Sequence, residues 1–434
     1  MSAAGQSWGR YPRARQFVQR LHDRSATLPA FEGTALPRGN GRSYGDSCLN
    51  PDGSLLDATG LDRFIAFNPA TGLVRCEAGI TLDTIIQLAL PQGWFLPVTP
   101  GTRYVTVGGA IANDVHGKNH HRIGSFGHHV RCFELLRSDG SRRLCLAGGD
   151  DGWFAATVGG LGLTGVITWA DIQLRRVPGS AMETENIRFR SLDEFFQLSA
   201  ESSSTHEYSV AWIDCLATGR ARGRGHFTRA DHASALPAER PSAPTAGWKF
   251  PFTPPLSLVN RLSLRPFNAL YYWRQPTPQR RRVSHVLPFF YPLDGIREWN
   301  RMYGPAGFLQ YQCVLPPTVA RVGIAALLTE IARSRTGSFL AVLKEFGDMP
   351  SPGLMSFPRP GTTLALDFPN TGEAVFRLLD RLDRIVDEAE GAVYPAKDAR
   401  LQAASFQRAY PRWRDMSGFL DPRFSSGFWR RVTE

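Results

Sequence analysis

Cysteine is scarce and scattered in this chain. Its six residues, Cys48, Cys76, Cys132, Cys145, Cys215 and Cys313, form no C-x-x-C pair. That excludes a zinc ribbon or a dithiol redox motif and leaves them as small apolar packing residues. Long hydrophobic runs are missing too: no stretch of about 18 apolar residues occurs, so no membrane-spanning helix is expected. The opening segment carries Arg10, Arg13 and Arg15 with no apolar stretch of signal-peptide length behind them, which predicts synthesis in the cytoplasm without a signal peptide. Internal repeats, low-complexity tracts, a helix-turn-helix and a zinc module are all absent. The basic residues are spread along the chain, so nucleic acid is not the expected partner.

What is present is the composition of a folded protein, 42% hydrophobic and 21% charged over 434 residues. At roughly 100–200 residues per domain, that length predicts two or three domains. Fifty Lys and Arg against 39 Asp and Glu leave a net charge of +11, which favours an anionic partner: nucleic acid, an acidic membrane surface or a phosphorylated substrate. With 42 Gly and 31 Pro, tight turns should be frequent.

After a basic amphipathic opening from Trp8 to His22, short β-rich runs alternate with turns. Phe64–Phe67 and Leu73–Cys76 read as strand, turn, strand, as do Phe133–Leu136 and Leu144–Leu146 around Asp139-Gly140. Thr81 is placed to cap a helix through Ile85, Ile86 and Leu88 that stops near Pro91. Asp150–Thr157 reads as helix, and Gly165–Leu174 and Phe308–Leu315 as strands. Glycine clusters thin out past Val177-Pro178-Gly179, which marks a domain boundary. Between Pro237 and Pro288, Trp248, Phe252, Leu262, Phe267, Leu270 and Trp273 interleave with arginines and close on Arg280-Arg281-Arg282. Such a stretch fits a mobile lid, a membrane-surface segment or a Pro-rich loop packed on its own domain.

Three glycine-rich segments carry chemistry. Arg38-Gly39-Asn40-Gly41-Arg42-Ser43-Tyr44-Gly45 follows a strand and can present successive backbone N–H groups to phosphate oxygens, without the βαβ context of a dinucleotide fingerprint. In Pro100–Gly117, small residues recur and Gly108-Gly109 open a helix whose N-terminus favours pyrophosphate. Gly159–Gly165 again precedes a strand. Three such loops within about 130 residues point to one shared anionic cofactor rather than three unrelated turns.

These residues carry a resemblance. Gly41–Asp46, Val107–Ala112, His116–His121, Gly124–Gly127, Tyr303–Gln312 and Tyr394–Asp398 follow one another as they do in flavin-dependent oxidoreductases of the vanillyl-alcohol-oxidase type. The chain is similar to the branch that oxidises decaprenylphosphoryl-β-D-ribose at the 2′-hydroxyl. The resemblance implies an α+β fold. In it, a split FAD-binding domain of two α/β subdomains (1–178 with a return over 394–434) joins a substrate domain on an antiparallel sheet with flanking helices (179–393). It implies FAD held without a covalent bond, because the His that carries flavin in related sugar-alcohol oxidases is Arg42 here.

The implied cofactor contacts are Arg38, Gly39, Asn40, Gly41, Arg42, Ser43, Tyr44 and Gly45; Pro100, Gly101, Thr102, Val105, Thr106, Gly108, Gly109, Ala112, Asn113, His116 and Gly117; and Gly162, Gly165, Ile167 and Tyr394. For catalysis it implies Lys397, His121 and Tyr44, with Lys397 either an ammonium that steadies negative charge or a neutral amine that takes the hydroxyl proton. Substrate contacts are expected from His120, Lys118, Tyr291, Gln310, Gln312 and Lys344, with no metal. Gln310 and Gln312 alternate on one strand and so share a face. Thr363 and Ala365 depart from the Asn and Cys of the family, which predicts resistance to inhibitors that bond to that thiol. Further implied are a polyprenyl-phosphate-linked sugar as substrate, a quinone or O2 as electron acceptor, an NADH-dependent short-chain reductase as partner, and peripheral contact at the inner membrane. The alternative is a soluble sugar-alcohol or aldonolactone oxidase using O2.

Overall fold

A computed structural model describes residues 5–233 and 247–434. Three sheets organise them. Strands β1 (Phe17–Arg20), β2 (Ala35–Arg38) and β3 (Ser54–Asp57) make a parallel sheet in the order β1-β3-β2. Next, β4 (Phe64–Asn68), β5 (Leu73–Glu77), β6 (Val130–Leu136), β7 (Arg142–Leu146) and β8 (Val166–Gln173) form an antiparallel sheet ordered β4-β5-β8-β6-β7. Both hairpins expected from alternation are in it. Helix α1 (Leu82–Ala89) is capped by Thr81, whose hydroxyl accepts from the Thr84 N–H, and α2 (Val107–Ala112) by Thr106 in the same way. Between β7 and β8, α3 (Trp153–Thr157) starts three residues later than expected, because Gly152 sits at φ 75° and turns the chain before the helix begins. The basic opening contributes β1 in place of a longer amphipathic element.

The third sheet is antiparallel and eight-stranded. It contains β9 (Ala181–Phe189), β10 (Tyr208–Ile213), β11 (Gly225–His232), β12 (Gln279–His285), β13 (Phe308–Leu315), β14 (Ala341–Phe346), β15 (Gly361–Pro369) and β16 (Ala392–Val393). Their order is β12-β9-β11-β10-β14-β15-β13-β16. One face packs on α4 (Leu192–Ser203), α6 (Ala320–Ser334) and α7 (Glu373–Glu388), while α5 (Arg261–Trp273) lies between β11 and β12 in sequence. Buried Val375, Leu378, Leu379, Leu382 and Val386 give α7 one apolar stripe at helical spacing. Leu309, Tyr311, Cys313 and Leu315 of β13 and Leu364, Leu366 and Phe368 of β15 join it in the largest hydrophobic core. The intervening residues face the opposite way, so a polar surface is written into strands with apolar backs.

The chain's end returns to its beginning. The Ala35 N–H donates to Arg423 O, the Ser425 N–H donates to Ala35 O, and α8 (Gly427–Thr433) packs beside the first glycine loop. Of the expected lid, 237–246 lie outside the described residues. The rest forms α5, capped by Asn260, and edge strand β12; Leu256, Leu262, Leu270 and Trp273 are exposed beside the arginines.

Candidate active site

Glycine-rich turns are where this backbone comes closest to itself. A Cβ on Gly45 would lie 1.5 Å from Asp398 O, so only glycine lets the first loop touch the segment that carries Lys397. Gly41 adopts φ 58°, and Gly101 faces open space. All three glycine segments and Tyr394–Lys397 converge on one cavity of about 1180 Å³. That exceeds the usual few hundred to 1,000 Å³ of a single small-ligand site and leaves room for two molecules.

Every residue expected to hold the cofactor lies on this wall except Gly45, whose role is the close approach to Asp398. At the start of α2 the Val107 and Gly108 N–H groups donate to Ile80 O and Ala78 O and the Gly109 N–H to the Thr106 hydroxyl, so the donors expected there for a pyrophosphate are already taken, while Arg38 and Arg42 keep a buried Nε without a partner. Arg42 stacks its guanidinium 4.0 Å from the Trp8 ring centroid. Two guanidinium groups and glycine clearance suit a pyrophosphate-linked flavin nucleotide.

At the other end of the cavity stands the eight-stranded sheet. Gln310 and Gln312 of β13, Lys344 of β14, and Ala365 and Asp367 of β15 all face inward. Cross-strand register sets Gln310 opposite Asp367 and Gln312 opposite Ala365. The Gln310 amide donates to Asp367 Oδ1 at 2.6 Å. Lys397 Nζ lies 3.8 Å from the centroid of Tyr44, whose ring meets Phe308 edge-on. Lys344 donates to His116 Nδ1 at 3.2 Å, and the Gln312 amide meets His116 Nε2 at 2.9 Å. Thr363 does not reach the cavity; its hydroxyl accepts from Gln312 behind the wall.

Burial governs the charges. It lowers Lys397 to about 7, against the opposing pull of Asp367, and Lys344 to about 8. Lys118, held by Phe290 O at 2.8 Å, also falls to about 7 through burial. Asp367 rises to about 7 for the same reason, opposed by the Gln310 hydrogen bond and Lys397. His116 is pushed well below its ordinary value by burial and by Lys344, His120 and Lys397, so it is a neutral imidazole.

Two expectations shift at the histidines. The chain turns into a short helix at His120–Ile123, which carries both imidazoles away from the cavity wall. His120 is 1% exposed, packs its ring at a tilt against Phe346 and accepts from the Gly347 N–H, and His121 lies against His206 O. The imidazoles on the wall are His116, beside Lys344 and Gln312, and His226 of β11. Tyr291 also stays behind it, bonded to Thr99 at 2.6 Å. Asp367 was not anticipated from sequence. The available signal was an acidic residue in the apolar run Leu364–Phe368, at the same parity as Thr363 and Ala365.

Comparison with known proteins now bears on the assembled site. Residues 26–145 match the family described as FAD binding domain. Decaprenylphosphoryl-beta-D-ribose oxidase of Mycolicibacterium smegmatis is 40% identical over 431 residues, covering 94% of this chain and 92% of that protein. The chain belongs to the decaprenylphosphoryl-β-D-ribose oxidase family. It is an FAD-dependent oxidoreductase of α+β fold. A Streptomyces coelicolor protein described only by its place in the mprA 5′ region is 36% identical over 81% of this chain and 100% of its own length. Human Delta(24)-sterol reductase shares 31% identity over 102 residues, 24% of this chain and 20% of its own length. Among the described residues, no helix is long and apolar enough to cross a membrane.

Proposed function

We propose that this oxidase-family member takes a polyprenyl-phosphate-linked ribofuranose and oxidises its 2′-hydroxyl to the ketone. That would be the first half of an epimerisation supplying an arabinose donor for cell-envelope glycan. The observation that carries the reading is the meeting, in one cavity, of the glycine loops with Lys397, Tyr44, Gln310 and Gln312. In this reading, residues 1–178 and 394–434 hold the cofactor and 179–393 hold the substrate. FAD, when bound, accepts the hydride.

The protein's own groups do the remaining work. Gln310 and Gln312 are neutral donors and acceptors suited to sugar hydroxyls. Lys397 and Tyr44 stand where the reacting hydroxyl would be held, and Lys118 and Lys344 add positive charge for a phosphate. His116, not His120 or His121, is the imidazole assigned to substrate orientation. Arg42 offers no imidazole for a flavin bond, so the cofactor is held without a covalent link. The exposed apolar and basic face of α5 and β12 is assigned to an anionic membrane surface, where the prenyl tail resides. A quinone or O2 would serve as the final electron acceptor, and an NADH-dependent reductase would be the partner that completes the inversion.

Anaerobic mixing with polyprenylphosphoryl-ribose tests the reading. Loss of the oxidised flavin absorbance, with the 2′-ketone found by mass spectrometry, supports it. Bleaching by free alditols but not by the lipid-linked sugar would overturn it in favour of a soluble sugar-alcohol oxidase.

A further inference from the structure

Three acidic side chains lie on the cavity wall, and two are already engaged. Asp294 accepts from the Arg103 N–H, and Glu298 pairs with Lys249 and Arg301. Among the described residues, Asp367 pairs with no cation within 4 Å and its carboxylate accepts from the neutral Gln310 amide. It is 1% exposed, on the inward face of β15, beside Gln310, Tyr44, Tyr303 and Lys397. Lys397 in turn faces Asp367, Lys344, His116 and Tyr44, while its neighbour Asp398 is tied to Arg431. Among the described residues, an ammonium at Lys397, beside Lys344 and an aromatic ring, is opposed by the Asp367 carboxylate.

We propose that Asp367, the wall carboxylate left without a cation, is a positioning residue that supplies the counter-charge for Lys397 across the cavity. The proposal rests on the reading of Lys397 given above, but its primary test does not require turnover. Oxidation removes a hydride from the carbinol carbon and a proton from its hydroxyl. If neutral Lys397 takes that proton, the O–H bond breaks, an N–H bond forms, and the new ammonium faces the Asp367 carboxylate. If Lys397 is already an ammonium, Asp367 is what keeps it so. Both roles need the same counter-charge. Burial lowers Lys397 and raises Asp367, so each protonation state depends on the other.

Asp367→Asn keeps an oxygen for the Gln310 amide and removes the charge. The first measurement is the pH dependence of Lys397 acylation by an amine-directed reagent in purified holoenzyme, read by peptide mass spectrometry. The expected result is a titration midpoint about one pH unit or more lower, the size of one opposing charge several Å away in a poorly hydrated cavity. Asp367→Glu should restore the midpoint, and Lys344→Met should move it upward by removing a like charge. The pH profile of kcat gives the role: a rising limb moved to lower pH means an amine that accepts the proton, and a falling limb moved to lower pH means an ammonium. An unchanged midpoint in Asp367→Asn, or equal shifts in the Asn and Glu variants, overturns the proposal. Failure of every lipid-linked substrate would sink the proposed function while the acylation midpoint still reports on Asp367.

Discussion

Arg431 ties together the two segments that meet at the Gly45 contact. From α8, its Nε and Nη2 reach Asp46 Oδ2 and Oδ1 at 3.0 and 2.8 Å, and Nη2 also reaches Asp398 Oδ2 at 2.8 Å. Asp46 follows the first glycine loop and Asp398 follows Lys397. Their side chains are 8% and 5% exposed, and that of Arg431 is 25% exposed. Arg431→Met would leave Asp46 and Asp398, two neighbouring buried carboxylates, without the cation that bridges them, and breaking a buried pair from one side costs about 3–5 kcal/mol. Unfolding entropy near 2.1 cal/mol/K per residue sums to roughly 0.9 kcal/mol/K for a chain this long unfolding as one unit. Tm should therefore fall by about 3–6 °C, measured by circular dichroism on flavin-free protein. The reasoning makes a second demand. Adding Asp46→Asn and Asp398→Asn to Arg431→Met should recover most of the loss, because amides carry no charge to strand. A single variant with unchanged Tm, or a triple variant no more stable than the single, would refute it.

Three lysines with lowered values make stability depend on alkaline pH. Lys118 and Lys397 lie near 7 and Lys344 near 8 in the folded state, against 10.5 for free lysine, so between pH 7 and 8.5 the unfolded chain binds more protons. Stability of the flavin-free protein should rise over that window and fall as pH drops toward 7, with a shallower rise in Lys344→Met; a flat Tm from pH 7 to 8.5 would contradict the assignment. Ala365 presents no thiol, and Cys48, the cysteine on the cavity wall, is pushed up to about 11 by burial. Compounds that bond to the family's cysteine should leave the protein unmodified by intact-mass analysis and form an adduct with Ala365→Cys. Leu262→Asp combined with Leu270→Asp, at positions 87% and 74% exposed, should reduce partitioning onto anionic liposomes by severalfold while FAD stays bound. Unchanged partitioning would count against the membrane face.

Much of the architecture was legible because its signals are local. Alternation across Phe64–Cys76 and Phe133–Leu146 specifies hairpins, a threonine before an apolar repeat caps α1, and the parity of Gln310 and Gln312 commits both amides to one face of β13. The glycine loops were legible for the same reason: close backbone approach needs a missing Cβ whatever surrounds it. The histidines were not. His116, His120 and His121 lie within six residues, and spacing cannot say which imidazole reaches a wall built by strands some 200 residues later. Asp367 was equally silent, since its meaning depends on Lys397 crossing back from the C-terminal segment. By itself the sequence determined the elements, the loops that clear space for a nucleotide, and the family. Only tertiary packing decided which charges are brought together and how far each is desolvated, because both depend on distances between residues remote in the chain.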